Sequence, residues 1–450
     1  MEKMGLTGEI AAFVVAAVNA ELPPEAITAA KRAFIDTVGV TLAGRDEPAV
    51  AIMQQLVRSS DEAFAWPGEA WLGSDDAALL NGLAGHVFDY DDVAQHGHPS
   101  VVLVPAILAE AQRIDASGED ALRAYAIGYE VWAELASREP DAYHLGSWHP
   151  TAVLGIVAAT AAITALDRLD SATARNALAI AASMASGVIA NFGTHMKPLQ
   201  AGRAAAGAIE AVRMARAGIT GAADAIEGAH GLLRGISSRG RVDTQKPAAL
   251  AAPGWRLISE GLSVKRYPVC YASHRAIDGT IGLAQEAQLA PGEVGSVTVS
   301  LGKAPAETLR YSSPRDGLEA RFSLNHNVAA ALVDHAVGFA QLEDGFVARP
   351  DVAALYPLTR MEIVDRECPE QPGMAEFDRV VIETRDGREF DSGPIRYPRG
   401  HAKLPLSDDE LDAKFLDCAR HGGLAEPARL LEALHDLDRL PRIRELHAGS

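Results

Sequence analysis

The chain has 450 residues and a formal net charge of −19, and apolar side chains make up 48% of it. This length allows two or three domains with separate cores, and the composition is far from that of a disordered chain. The acidic balance, without a block of consecutive basic residues, argues against nucleic acid as a partner, because binding to phosphates needs a basic face.

Cysteine content and apolar runs limit the class of protein further. Cys270, Cys368 and Cys418 are scattered without a CxxC spacing, so we expect no disulfide framework, zinc ribbon or iron–sulfur cluster. The N-terminal stretch lacks the basic start and cleavage site of a signal peptide. The apolar run TAVLGIVAATAAITAL, from Thr151, is shorter than the ~20 residues that span a bilayer. We therefore expect a cytoplasmic protein with no membrane partner.

Helical patterns dominate the first 240 residues or so. PPEAITAAKRAFIDTVGVTLAG has apolar residues at i, i+3, i+4 spacing, a proline at its start and a glycine at its end, which predicts a helix. A second helix is predicted for SVVLVPAILAEAQRI, with Ser100 as its N-cap. SATARNALAIAASMASGVIANFG and QAGRAAAGAIEAVRMARAGITG are rich in small residues. We expect these helices to cross closely in a buried bundle.

The pattern changes near SRGRVDTQKPAALAAPGW, which indicates a linker or a surface loop. Strands are predicted for GSVTVSLG, LTRMEIVDRE and DRVVIETRDGREFDSG, the last with a hairpin turn at Asp386-Gly387. A helix with a polar start, RFSLNHNVAAALVDHAVGFAQL, lies between them, and helical patterns return after YPRGHAKLPLS. We therefore predict a mainly α protein with a helical domain (1–258), an α+β domain (259–398) and a C-terminal helical segment (399–450) that rejoins the first.

The stretch HVFDYDDVAQHGHPS raises the question of a metal site, an acid–base site or a polar helix end. It concentrates three aspartates and three histidines: His86, Asp89, Asp91, Asp92, His96 and His98. His98 is the last residue before a predicted helix, where the helix N-terminus helps to keep an imidazole neutral. A neutral imidazole paired with a carboxylate is a good general base. We favour the acid–base interpretation and expect no bound metal, although this residue set could in principle hold a divalent ion.

Two further motifs place reactive side chains at helix starts. His149 precedes an apolar helix in the order His-Pro-Thr, which repeats the His-Pro-Ser order at His98. Lys197 lies in NFGTHMKPLQAG, a predicted loop between two segments that look buried, so we expect it to point into a crevice. The alternatives are a structural cap for His149 and an exposed lysine for Lys197.

The motif VKRYPVCYASHRAIDG places positive charge in an acidic protein. Lys265 and Arg266 could anchor carboxylates, with Arg as a bidentate fork and Lys as a point charge. For Cys270, a buried inert thiol is the more usual state than a nucleophile. The chain shows no GxSxG, Walker A or GxGxxG-after-strand pattern, so hydrolase-elbow, P-loop and dinucleotide-binding interpretations have no support.

Taken together, several of these stretches resemble the MmgE/PrpD family, which includes 2-methylcitrate dehydratase, cis-aconitate decarboxylase and iminodisuccinate epimerase. The matching stretches are NGLAGHVFDYDD…GHPS, GSWHPT, KPLQAGRAAAGAIEA, KRYPVC, ARFSLNHNVAAAL and YPRGHAKLPLSDDELDAKF. The resemblance implies a large helical domain built from both chain ends and a smaller α+β lid. It also implies a homodimer that works without a metal or an organic cofactor.

The resemblance also implies a set of site residues. It places Asp89, His98, His149, Lys197 and Lys265 on the lining of the family's active site. We expect Asp89, His98, His149 and Lys197 to be catalytic, and Lys265, Arg266, Cys270 and His326 to bind the substrate. Three positions depart from the decarboxylase pattern. Val93 stands where decarboxylase and dehydratase members have Thr, Cys270 where the decarboxylase has His, and His326 near a Tyr of the decarboxylase. The context of Cys270 resembles the epimerase branch.

The resulting hypothesis is a metal-independent, dehydratase-like lyase, a carbon–oxygen hydro-lyase, that removes an α-proton from a small anionic polycarboxylate. Lysine and arginine would hold the carboxylates and stabilise the developing charge, and a histidine oriented by Asp89 would take the proton. One alternative is an epimerase of an imino- or amino-dicarboxylate such as iminodisuccinate. The other is a non-catalytic carboxylate-binding protein.

Overall fold

The computed structural model describes residues 4–368 and 371–449, and the fold is mainly α, with about 55% of the chain in helices. The α-helices in chain order are α1 (Leu6–Ala17), α2 (Pro24–Ala43), α3 (Pro48–Gln54), α4 (Ser74–His86), α5 (Ser100–Ile114), α6 (Gly118–Ala136), α7 (Pro150–Leu166), α8 (Ser171–Met184), α9 (Met196–Arg216), α10 (Leu232–Ile236), α11 (Arg256–Ser259), α12 (His274–Glu286), α13 (Lys303–Thr308), α14 (Gly317–Ala320), α15 (Leu324–Asp334), α16 (Asp344–Val347), α17 (Pro350–Ala353), α18 (Asp408–His421) and α19 (Pro427–His435).

The β-structure is limited to short strands. In chain order these are β1 (Ser59–Ala65), β2 (Ala70–Leu72), β3 (Val294–Gly302), β4 (Thr359–Val364), β5 (Glu367–Cys368), β6 (Gln371–Ala375), β7 (Arg379–Thr384) and β8 (Glu389–Asp391). Among the described residues, no helix combines the length and the apolar character needed to cross a membrane.

The chain forms two compact units. One contains residues 1–264 and 407–450, and the other contains residues 265–406. In the first unit, α4, α5, α7 and α9 pack against one another, and α18 from the C-terminal segment packs against α2. Every residue of α7 is buried, so this helix lies in the middle of the bundle.

The small-residue helices cross closely, as their composition predicts. A Cβ atom added at Gly202 of α9 would lie 2.3 Å from the carbonyl oxygen of Leu79 in α4, and one added at Gly82 would lie 2.9 Å from the Cα of Gly202. These distances leave room only for hydrogen at both positions. The crossing joins the helix that ends at His86 to the helix that begins beside Lys197.

Several helix ends differ from the sequence-based predictions. Ser100 is the first residue of α5 and not its N-cap, because its hydroxyl donates a hydrogen bond to the Asp92 carboxylate. Lys197 lies in the first turn of α9 and not in the preceding loop. The helix predicted to continue through Leu342 ends at Asp334, where His335 takes a left-handed conformation with φ 53°. His149 stands immediately before an apolar helix, as predicted: it is the N-cap residue of α7, and its side chain makes no capping hydrogen bond.

The stretch predicted as a linker or loop, residues 238–255, has no regular structure and belongs to the first unit. Two buried carboxylates of α6 hold its backbone. Glu130 accepts hydrogen bonds from the amides of Ala251 and Arg256, and Glu134 accepts one from Ala249.

The second unit is built on a four-stranded sheet with the order β4-β3-β7-β8. Strand β3 pairs in parallel with β4 and antiparallel with β7. Val297, Val299 and Leu301 alternate along β3 and are fully buried, as expected for a strand with one face on a core. The predicted hairpin is confirmed: β7 and β8 pair antiparallel around Asp386-Gly387, and Gly387 has φ 88°.

The crossing of α4 and α9 gives a direct test of the fold. We expect Gly202→Ala to lower the free energy of unfolding by about 1–3 kcal/mol, because the added methyl group meets a backbone carbonyl that cannot move aside. The matched control is Gly207→Ala in the same helix, where the new Cβ would meet the Cδ1 end of Ile156. That side chain can rotate, and alanine gains up to about 1 kcal/mol of helix propensity over glycine. Urea unfolding that gave equal stabilities for the two variants would contradict the close crossing.

Candidate active site

The first unit gathers the predicted acid–base residues around one irregular segment, residues 87–99, between α4 and α5. His86 is the last residue of α4. Asp89 has the left-handed φ of 52°, which a non-glycine residue adopts only at a cost and often at functional sites. The backbone amide of His98 donates to the Thr151 hydroxyl of α7, so the far end of the segment is fixed to the central helix.

The centre of the cluster is the Asp91 carboxylate, which is fully buried. It lies 2.9 Å from Nδ1 of His86 and 3.1 Å from Nδ1 of His98. Burial alone would raise the pKa of Asp91, but the two neighbouring imidazoles outweigh burial and hold this pKa well below its usual range. Asp91 therefore stays ionised and fixes the orientation of both rings.

His86, unlike Asp91, is held in its neutral form. Burial lowers the pKa of His86 to about 4, against the opposing effect of Asp91, and the nearby Lys197 lowers it further. With Nδ1 facing a carboxylate, the neutral ring carries its proton on Nδ1. Its ring centroid is 4.8 Å from that of His98 and 5.7 Å from that of His149, so His86 lies between the two predicted catalytic histidines.

An ion pair lies at the more accessible edge of the cluster. Nζ of Lys197 is 2.5 Å from Oδ1 of Asp89, and the two side chains are 20% and 35% exposed. Nε2 of His98 is 3.6 Å from the same carboxylate oxygen. The predicted Asp89, His98 and Lys197 are therefore brought together, with a cation at the edge that solvent can reach.

His149 has a different partner from the other two histidines. Its Nδ1 lies 2.8 Å from Oε1 of Gln200, and the amide nitrogen of Gln200 donates to the carbonyl of Val188 at 3.1 Å. Because this second bond orients the amide, Oε1 accepts from Nδ1–H of His149 and leaves its Nε2 as the lone-pair nitrogen. Burial lowers the pKa of His149 to about 2. The Phe192 ring packs edge to face against the imidazole, with ring centroids 4.9 Å apart, and adds to the apolar surroundings of His149.

Four of these side chains could also hold a metal ion. One ligand atom from each of His86, Asp89, Asp91 and His98 lies within 4.8 Å of the others, and a mixed nitrogen and oxygen set suits several divalent metals. In the observed arrangement, however, Asp91 is hydrogen-bonded directly to an imidazole nitrogen, and Asp89 is paired with the Lys197 ammonium. A metal would have to displace these contacts. The geometry fits a hydrogen-bonded acid–base network better than a metal centre.

The predicted substrate-binding residues belong to the second unit. Lys265 is buried and Cys270 is half-buried. The Arg266 guanidinium is 37% exposed, lies 3.7 Å from Asp278 and faces the Tyr267 ring. That these three residues contact the substrate stays a prediction.

His326 differs from the other predicted substrate-binding residues in its surroundings. It is fully buried, with Nδ1 3.0 Å from the Tyr356 hydroxyl and Nε2 2.8 Å from the Gln341 carbonyl. Both ring nitrogens are used within its own unit, and its contact with substrate stays a prediction.

Three members of the cluster were not assigned a role from the sequence: His86, Asp91 and Gln200. His86 and Asp91 stand in the same polar stretch as Asp89 and His98, so their proximity was a usable signal. Gln200 carried no such signal, because a glutamine in the first turns of a helix is usually exposed.

The comparison with known families accounts for nearly the whole chain. The model of the MmgE/PrpD N-terminal domain matches residues 8–245, and that of the MmgE/PrpD C-terminal domain matches residues 267–438.

Three similar proteins are cis-aconitate decarboxylases. The chain is similar to the cis-aconitate decarboxylase of Homo sapiens, with 26% identity over 411 residues that cover 88% of this chain and 83% of the relative. The cis-aconitate decarboxylase of Mus musculus is 26% identical over 406 residues, covering 86% and 81%. That of Aspergillus terreus is 24% identical over 479 aligned positions, covering 99% and 95%. From the two domain matches, this chain belongs to the MmgE/PrpD family.

Proposed function

We propose that this protein is a lyase that removes a proton from the carbon next to a carboxylate of a small polycarboxylate. The observation that carries the proposal is the pairing of His98 with Asp91 at 3.1 Å, beside the ion pair of Lys197 and Asp89. A histidine held by a buried carboxylate and placed next to a cation is the combination that such a proton transfer requires.

The anionic substrate enters at the accessible edge of the cluster. Lys197 is the cation there, and it binds one substrate carboxylate in place of, or together with, Asp89. In a chain with a net charge of −19, a local cation is needed to overcome the general repulsion of an anion. The carboxylate that Lys197 binds is the one that stabilises the carbanion-like charge on the neighbouring carbon.

His98 is the proton acceptor in this proposal. Its Nδ1 faces Asp91, so the neutral ring carries its proton on Nδ1 and presents a lone pair on Nε2. Nε2 takes the α-proton, and the C–H electron pair forms the new C=C bond as the C–O bond to a β-hydroxyl breaks. The imidazolium of His98 returns its proton to the departing hydroxyl. The products are an alkene and water, and the enzyme regains its starting protonation state.

His149 acts as a fixed, neutral hydrogen-bond acceptor. Gln200 holds its tautomer, and burial keeps the ring uncharged because it lowers the pKa of His149 to about 2. A ring of this kind accepts a hydrogen bond from a substrate hydroxyl through Nε2 and orients the leaving group. We assign it to substrate orientation, with proton transfer at His98.

Two other outcomes have specific support. Decarboxylation is the reaction named for the human, mouse and Aspergillus relatives, and it would use the same cation to hold a carboxylate while another leaves as CO₂. Epimerisation is favoured by the context of Cys270 and needs the proton to return to the opposite face. Dehydration is our first choice over decarboxylation because Cys270 and His326 depart from the decarboxylase pattern. Val93 does not separate these two reactions, since dehydratase members also have Thr at this position.

One experiment separates these reactions and tests the site. The purified protein is incubated in D₂O with a panel of hydroxy-polycarboxylates, cis-aconitate and amino-dicarboxylates, and the mixtures are followed by NMR. We expect an alkene signal from a hydroxy-polycarboxylate, and we expect His98→Gln to lower kcat by roughly 100- to 10,000-fold, the usual contribution of a general base. The matched control is His230→Gln, an exposed histidine outside the cluster.

The alternatives give different signals in the same experiment. CO₂ release from cis-aconitate would identify the reaction as decarboxylation and not dehydration. Deuterium uptake without an alkene would indicate epimerisation. Turnover that survives His98→Gln unchanged would contradict the assignment of the base, and the absence of turnover with the whole panel would support a non-catalytic carboxylate-binding protein.

Metal independence is tested separately. We expect prolonged dialysis against a strong chelator to leave kcat unchanged, because Asp91 is already hydrogen-bonded to His86 and Asp89 is already paired with the Lys197 ammonium. The measurement is kcat before and after dialysis, with the metal content determined in parallel. Loss of activity that a single divalent ion restores would establish a metal at His86, Asp89, Asp91 and His98.

A further inference from the structure

The segment that carries Asp89 and Asp91 is held from behind by the C-terminal helix α18. The residues before and after Asp89 both contact this helix and are both buried. The ring of Phe88 packs edge-on against His421 with centroids 5.7 Å apart, and the ring of Tyr90 lies under the Lys414 ammonium at 3.9 Å. Lys414 and His421 are seven residues apart, so they lie on the same face of α18.

Side chains therefore alternate along the segment. Phe88 and Tyr90 contact α18, while Asp89 and Asp91 contact Lys197, His86 and His98. Fixing the α18 side of this segment thus fixes where the two carboxylates point.

Lys414 makes the strongest of these contacts. It is almost fully buried, lies 2.5 Å from Oδ1 of Asp36 in α2, and donates to the Tyr90 carbonyl at 2.9 Å. A buried cation that is paired with a carboxylate and bonded to a backbone carbonyl cannot move without leaving charge unpaired. The carbonyl it holds belongs to the residue between the two aspartates.

We propose that Lys414, supported by His421, is a positioning residue that holds Asp89 and Asp91 in the geometry needed to orient the catalytic histidines. It does not touch the substrate. The left-handed backbone at Asp89, with φ 52°, is a costly conformation that needs such external support. The C-terminal segment of the chain is therefore part of the catalytic apparatus as well as part of the fold.

The test uses the paired variant Asp36→Asn with Lys414→Met, which removes both buried charges together and so avoids leaving one unpaired. We expect the amides of residues 87–93 to exchange with deuterium about tenfold faster, since the segment opens more easily. We also expect kcat to fall roughly 10- to 100-fold, as for the loss of one charged hydrogen bond, with KM changed much less. Lys414→Arg keeps the charge and the hydrogen-bond donors, and we expect it to retain part of the exchange protection and part of kcat.

The matched control is Lys31→Met. Lys31 also lies on α2 and makes the same two kinds of contact, an ion pair with Asp438 and a hydrogen bond to the carbonyl of His435. It ties the C-terminal segment to α2 away from residues 87–93. We expect wild-type exchange in that segment and wild-type kcat, even where thermal stability falls.

The outcomes are separable. The kinetic arm rests on the proposed function, whereas the exchange arm does not and remains decisive if no substrate is turned over. Wild-type exchange and wild-type kcat in the paired variant would overturn the positioning role. If the paired variant does not fold, His421→Ala, a change at an exposed side chain, is expected to speed exchange at Phe88 and to lower kcat. Unchanged values in that variant would also overturn the proposal.

Discussion

The Asp91 carboxylate, buried between two imidazoles, organises this site. Nδ1 of His86 donates to it at 2.9 Å, and Nδ1 of His98 lies 3.1 Å from the same carboxylate. A buried carboxylate is costly unless its charge is compensated. Asp91 therefore requires two imidazoles close by, and their orientation in turn sets the accessible nitrogen of His98. Burial lowers the pKa of His86 and keeps its ring neutral, whereas the neighbouring imidazoles outweigh burial at Asp91 and hold the pKa of this carboxylate low.

The fold serves this arrangement by bringing distant parts of the chain to one short segment. His86 comes from the end of α4, His149 and Thr151 from the start of α7, Lys197 and Gln200 from the start of α9, and Lys414 from α18. Helix starts recur in this set, because a helix N-terminus offers a fixed backbone with its positive end toward the site. Glycines at the crossing of α4 and α9 allow two of these elements to approach within a few ångströms.

Much of the site was predictable from local patterns, for physical reasons that also explain the errors. His98, His149 and Lys197 each stand next to a proline at the start of an apolar helix, and this order places a polar side chain at a helix end. The pattern does not give the first helical residue, so Ser100 and Lys197 were each misplaced by a turn or less. Whether Ser100 caps its own helix or bonds Asp92 depends on tertiary contacts that local sequence does not contain.

Other features depend on contacts across long sequence distances. Gln200 is a partner of His149 only because α9 packs beside the start of α7, and Lys414 reaches Tyr90 over more than three hundred residues. Histidine is a common residue type in active sites, yet both ring nitrogens of His326 are hydrogen-bonded, to Tyr356 and to Gln341. The mainly α class is confirmed. The predicted homodimer and the roles of Lys265, Arg266, Cys270 and His326 stay predictions.

The protonation state of the histidines is the most direct test of this account, and NMR of protein labelled with ¹⁵N-histidine measures it. His86 and His149 are assigned by comparison with their Gln variants. Because burial lowers their pKa values to about 4 and about 2, both rings should be neutral at pH 6, below the ordinary histidine pKa of about 6.5. His149 should carry its proton on Nδ1. An imidazolium at either position at pH 6, or a proton on Nε2 of His149, would contradict the account.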